Sequence, residues 1–259
     1  LYFGLGGYGA ALGSVFLGIS DAFVLVLLGI VAAGFVASVL GFMMARYRGI
    51  FFALLNLAFS MLLFGVLVNS AVLGSTDGFS VTVPSYFGYV PSSAGSRVTF
   101  ILYAMICVLA CGSALLVNRY LNSTMGYIGE AIRENEVRVG YLGASVKHAI
   151  VIKYLISAVL AGMGGALTVL LIGHVTPEDT VYWTRSGEFV FVAILSGTGN
   201  VAAPFIGSAM FELVRTYALQ YAPDVWQMLL GATLLLVIMF LPGGIWSLIQ
   251  SANRKSAQT

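Results

Sequence analysis

The sequence predicts an all-α fold, a polytopic transmembrane helical bundle, and three observations predict it. Hydrophobic residues fill 59% of the 259 positions and charged residues only 8%, with a mean hydropathy of +0.98. A soluble globular domain carries about a quarter charged residues. Several apolar stretches reach the ~20 residues a helix needs to cross the hydrocarbon core. The charges are also clustered: of 22 in all, eight (Arg119, Glu130, Arg133, Glu134, Glu136, Arg138, Lys147 and Lys153) fall in one polar stretch. A β-barrel would instead show short alternating segments. A net charge of +2 is too small to imply nucleic-acid binding.

Eight membrane segments follow from the apolar runs. The first, 1–17, starts without a leading methionine, so a further span is expected before residue 1. Its Gly4, Gly6 and Gly9 match G-x-G-x-x-G, yet no strand precedes them and no ribose-binding acid follows at the proper distance. Close helix packing explains them better. Segments 22–45 and 50–72 are long enough to span. Asn56 and Asn69 lie in the latter, where a buried amide either joins helices or lines a polar path. An external loop over 73–97 leads to segment 98–117. Its Cys107 and Cys111 stand at i,i+4 and read as small packing residues, not as a metal or disulfide framework.

The polar segment 119–147 comes next. Gly126 and Gly129 precede Glu130, whose carboxylate suits a helix N-terminus. Ile128, Ala131 and Ile132 offer an apolar flank, and Arg133, Glu134 and Glu136 a charged one. A short amphipathic helix of this kind can dock in a partner's groove. Long connections between spans are usually functional or disordered.

Segment 149–173 carries Gly162, Gly164 and Gly165, again suited to close packing. Segment 189–196 is too short to span. It is followed by the break Gly197-Thr198-Gly199-Asn200 and by Pro204. Such breaks are tolerated at membrane depth only where protein or a water-filled path surrounds them, and half-helices often line translocation sites. Segment 201–219 holds Glu212 and Arg215 at i,i+3. Ionisable residues there pair or face a polar cavity, so a salt bridge and a pathway or gating element are both open. Segment 225–249 closes the transmembrane domain, 1–249, and 250–259 forms a tail.

Charge sets the orientation. Arg46, Arg48, Arg119, Arg133, Arg138, Lys147, Lys153, Arg254 and Lys255 fall on one side, against Arg97 and Arg185 on the other. The polar segment and the tail are therefore cytoplasmic. Tyr182 and Trp183 suit an external interfacial belt. His148 and His174 have no acidic or cysteine neighbours at metal-ligand spacing, so no metal site is expected. No nucleophile–base pair and no nucleotide fingerprint is present, so the chain is expected to be no enzyme. If ATP drives it, another chain binds the ATP.

At Ala131-Ile132-Arg133-Glu134-Asn135-Glu136, closed by Gly143, the chain resembles the ABC-transporter permeases that import branched-chain amino acids, in particular the LivM-like subunit. Val139, Gly140 and Tyr141 stand where that family has an alanine-rich run. Further stretches are similar to family motifs: Phe3-Gly4-Leu5-Gly6-Gly7-Tyr8, Tyr47-Arg48-Gly49-Ile50-Phe51-Phe52-Ala53, Asp77-Gly78-Phe79, 155–167, the break from Leu195 through Pro204, and Leu241-Pro242-Gly243-Gly244-Ile245.

The resemblance implies a multi-pass permease subunit of an ATP-driven importer in the bacterial inner membrane. It would form the path for branched-chain or related small amino acids. Its partners would be a second, LivH-like permease, two LivG/LivF-like ATPases that bind ATP and Mg, and an external binding protein. Gly129, Glu130, Ala131, Ile132, Arg133, Glu134, Asn135 and Glu136 would form the coupling helix. Asn56, Gly197, Thr198, Gly199, Asn200, Glu212 and Arg215 are the candidate pathway or gating residues. The alternatives are a permease for urea, amides or aromatic acids in the same family, or an ATP-independent channel or secondary transporter.

Overall fold

The computed structural model describes residues 1–82, 84–86, 96–197, 199–221, 223, 225–240 and 244–247, and at 96–99 only the course of the helix. The chain forms two compact units, Leu1–Trp183 and Thr184–Thr259.

In the first unit, α1 (Tyr2–Phe16), α2 (Ala22–Met44) and α6 (Val146–Ile172) make the core. Between them lie α3 (Ile50–Asn69), α4 (Ser96–Leu121) and the polar α5 (Thr124–Tyr141). Lipid tails are as apolar as leucine, so helices in a membrane associate by close packing of small residues. That is how these three meet. A Cβ at Gly6 would run into the backbone of Gly162, and one at Gly165 into the Phe3 carbonyl. Gly29 presses on Gly6 and Ala166 in the same way. Ala10, Ala11, Ala33, Ala37, Ala158 and Ala166 are buried around them, with Leu25 and Val169 as the larger fillers. The G-x-G-x-x-G glycines are thus packing residues: Gly4 abuts Val181, Gly6 abuts Gly162, and Gly9 abuts Gly29 and Ala32. By contrast α3 and α4 present Phe51, Leu54, Phe100 and Val108 outward, the surface expected of helices that meet lipid or another subunit.

The charge-based topology can be checked against contacts. Strand β1 (Phe79–Ser80) pairs antiparallel with β2 (His174–Val175), which puts the segment after α3 and the segment after α6 on one face. Gly78 has φ +71°, and a Cβ there would strike the Val175 carbonyl, so only glycine passes under this pair. Ser85 closes the same end by accepting from Ala22 N and donating to the Ser20 carbonyl. The short α7 (Pro177–Thr180) follows, capped by Thr176 Oγ1, which accepts from Asp179 N at 3.2 Å. Tyr182 lies near Phe64 and Trp183, at ring distances of 5.0 and 6.0 Å. On the opposite face the α2–α3 turn touches α5 through Arg48 and Glu136, so the basic turn and the polar segment share a side.

The second unit holds α8 (Trp183–Ser196), α9 (Ala203–Tyr221) and α10 (Trp226–Phe240), closed on Leu195, Phe211 and Leu230. Gly207 lets α9 approach Ser196 and the Val192 carbonyl. The helix expected over 189–196 begins earlier, at Trp183. Its polar first turns are held by Arg185 Nη1 donating to Glu188 at 2.7 Å, a pair at helical spacing that hydropathy cannot register. Pro204 does not interrupt α9 but starts it, in the first turn where its missing N–H costs nothing.

Among the described residues five helices are long and apolar enough to cross a membrane: α2, α3, α4, α6 and the one that opens with α10. The 15-residue α1, the 14-residue α8 and the charged α9 complete the expected series of full and shortened segments.

Candidate functional site

The candidate surface starts where α4 runs out. After Leu121 the chain turns through Asn122 and Ser123 into α5. Gly126 and Gly129 do not precede the helix, as the sequence suggested, but lie inside it. A Cβ at Gly126 would strike the Leu121 backbone, and Gly129 sits beneath the Lys153 side chain. The two glycines let the start of α5 lie flat across the ends of α4 and α6. Glu130 is therefore beyond the first turn and does not cap the helix.

The helix breaks at Asn135, whose φ of −158° and ψ of 98° are extended. Its Oδ1 accepts from Arg138 N at 3.0 Å. An extended residue whose side chain bonds the amide three positions on is an N-cap. So α5 is two helices, and Asn135 starts the second. Glu136 then takes the first-turn position that suits a carboxylate.

Glu136 also meets Arg48. Nε donates to Oε1 at 3.1 Å and to Oε2 at 3.0 Å, and Nη2 donates to Oε1 at 2.9 Å. Nη1 donates to the carbonyls of Ala45 and Tyr47, at the end of α2. The forked guanidinium matches a carboxylate in two directions, which a lysine cannot do. The hydrogen bonds from Arg48 hold the Glu136 carboxyl below the usual carboxylate range, against the smaller opposing effect of burial. The two side chains are 37% and 41% exposed. Exposed pairs contribute about 0–1 kcal/mol, so this one orients more than it stabilises.

The remaining coupling candidates separate by exposure. Glu130, Ala131, Arg133, Glu134 and Asn135 face outward, while Gly129, Ile132 and Glu136 are half-buried. Beside them Tyr141 and Leu142 are 87% and 82% exposed, and Val137 is exposed too. Large apolar side chains next to outward charges, on a segment too polar for lipid, make a surface that fits another protein. Gly143 ends the segment with φ +80°, a backbone state that favours glycine.

The pathway candidates divide between the two units. Asn56 belongs to the first unit and is bound into a chain of hydroxyls. Tyr2 donates to Tyr154 at 2.7 Å, and Tyr154 donates to Asn56 Oδ1 at 2.9 Å, joining α1, α6 and α3. In the geometry Asn56 is helix glue. Asn69 bonds its own helix, at the Gly65 carbonyl. In the second unit Gly197 (φ +82°) ends α8, its N–H reaching the Ala193 carbonyl. Thr198 lies outside the described residues. Gly199 and Asn200 are exposed, and Asn200 Oδ1 accepts from Ala202 N at 3.0 Å to start α9. Glu212 and Arg215 approach to 3.8 Å, but Glu212 is 66% exposed and Arg215 lies 5.8 Å from the Trp226 ring centre. The i,i+3 spacing yields a loose ion pair, with Arg215 also placed over the aromatic face.

Among the described residues no three His, Cys, Asp or Glu side chains gather closely enough to hold a metal. His148 and His174 bond serines, Ser145 at 2.6 Å and Ser80 at 3.3 Å.

Residues 1–238 match the family described as the branched-chain amino acid transport system / permease component. The chain belongs to this family. Two curated permease relatives are both named high-affinity branched-chain amino acid transport system permease protein LivM. The one from Salmonella typhimurium is 28% identical and the one from Escherichia coli 27%, each over 94% of this chain. The chain spans 61% of the length of each of them. No solved structure matches. In the sequence Arg48 stands out only as a positive-inside charge and as part of a motif. Its partner Glu136 is 88 positions away, and nothing local marks a pair at that distance.

Proposed function

We propose that this permease is the membrane-spanning subunit of an ATP-driven importer in a bacterial inner membrane. It forms the translocation path for branched-chain or related small amino acids. The observation that carries the reading is α5: a charged, outward-facing helix between two spans, on the same face as the basic α2–α3 turn. A chain without a nucleotide motif needs such a handle to receive work from a separate ATPase. Glu130, Arg133 and Glu134 supply the charged contacts, and Tyr141 and Leu142 the apolar ones. The partners are a second permease of the LivH type, two ATPases of the LivG and LivF type holding ATP and Mg, and an external binding protein that selects the cargo. Closure of the ATPase pair moves α5, and the permease shifts between outward-open and inward-open packings. An equilibrium moves only as far as the differential binding to its two states allows.

Reconstitution tests this. In proteoliposomes with its partners, the Arg133→Ala/Glu134→Ala variant is expected to lose about tenfold in leucine uptake, a typical site-to-site coupling. ATP hydrolysis and insertion should persist. Unchanged uptake together with unchanged stimulation of the ATPase sinks the assignment of α5. Failure of any ATPase to co-purify with the wild-type chain points to a channel or secondary transporter, and a binding protein that prefers urea, amides or aromatic acids overturns the cargo.

A further inference from the structure

We infer that Arg48 is a positioning residue: it ties the second half of α5 to the α2–α3 turn, so that movement of α5 reaches α2 and α3 as well as α4 and α6. The inference rests on α5 being the segment that receives work from the ATPase.

The break at Asn135 is what makes a second tie necessary. A continuous helix passes on displacement as a rod, whereas an extended residue lets its two halves reorient. The first half of α5 is seated by Gly126 on the end of α4 and by Gly129 beneath Lys153 of α6. Those contacts cannot govern the half beyond the break. There Val139 is buried, and the polar tie is Glu136, held by three hydrogen bonds from Arg48.

Arg48 in turn has little freedom. Nη1 is committed to the carbonyls of Ala45 and Tyr47, where a cation also complements the negative end of the α2 dipole. Gly49, at φ +58°, then turns the chain directly into α3. The guanidinium is thus built into the joint between two spans. One of them, α2, packs on α1 and α6 in the glycine-lined core. The tie is half-exposed, so it adds little to stability. A device that adds little stability yet connects two moving elements is separable from folding by mutation.

The test has two arms. In the full-length chain purified in detergent, hydrogen exchange is measured for wild type and Arg48→Ala. Faster exchange confined to 136–141, with 124–134 unchanged, is expected. Equal exchange in both proteins overturns the tie, and this arm stands whether or not the chain is part of an importer. In the second arm the complete transporter, reconstituted with its binding protein, is assayed for ATP hydrolysed per radiolabelled leucine imported. Arg48→Ala and Glu136→Ala should each raise that ratio about fivefold or more, the low end of typical coupling between sites. The double variant should be no worse than either single one, since both remove one interaction. Arg48→Lys should recover only part of the coupling, because an ammonium cannot make the fork. Additive effects, or an unchanged ratio in either single variant, overturn transmission through Arg48. A wild-type complex that shows no ATP-dependent uptake withdraws the importer reading itself, which the exchange arm does not share.

Discussion

At the scale of single residues, Arg48, Asn135 and Glu136 act together. Asn135 ends one helix and caps the next, and this places the Glu136 carboxylate at a helix start within reach of the Arg48 fork. The charge pair has a definite pH dependence. The Glu136 carboxyl is held low by Arg48, so the tie is fully present above the ordinary glutamate range. It is lost as pH falls through the depressed value. Titration of an isotope-labelled Glu136 carboxyl should show a midpoint below the ordinary glutamate range, and Arg48→Ala should bring it back to that range. An ordinary midpoint in wild type would contradict the geometry. The sequence marked both members as cytoplasmic charges through the positive-inside bias. It could not pair them, because spacing rules reach three or four residues along a helix and no further.

At the scale of elements, the helices of the first unit divide by how closely they can approach. The glycines of α1 and α6 bring backbone to backbone, and the outward leucines and phenylalanines of α3 and α4 do not. Gly162→Leu should therefore cost about 1–3 kcal/mol or more, since overpacking here meets the Ala33 Cβ of α2, which cannot rotate aside. Gly112→Leu, where a Cβ finds open space, should cost far less. Thermal unfolding in detergent compares the two, and equal losses would show that α2 and α6 are not packed this way. Most of these elements were legible, because length and apolarity mark a span directly. The ends of α5 and α8 were not. Both start in polar turns, where helicity comes from local contacts such as Arg185 with Glu188 and from seating on neighbouring helices.

At the scale of the whole molecule, topology ties function to place. The β1–β2 pair and the Arg48–Glu136 pair lie at opposite ends of the first unit's helices. In a chain lacking Cys107 and Cys111, Glu178→Cys should react with an impermeant maleimide in intact spheroplasts. Glu134→Cys should react only after permeabilisation, and labelling of both in intact cells would reverse or break the topology. The sequence by itself determined the class, the spans and the polar segment, since transfer of apolar surface and of charge is a property each residue carries along the chain. Only the tertiary structure decided that Asn56 is held in a hydroxyl chain, that Arg215 turns to Trp226, and that Arg48 reaches Glu136. Those outcomes depend on which side chains meet across helices, and the distances that select them exist only once the helices have packed.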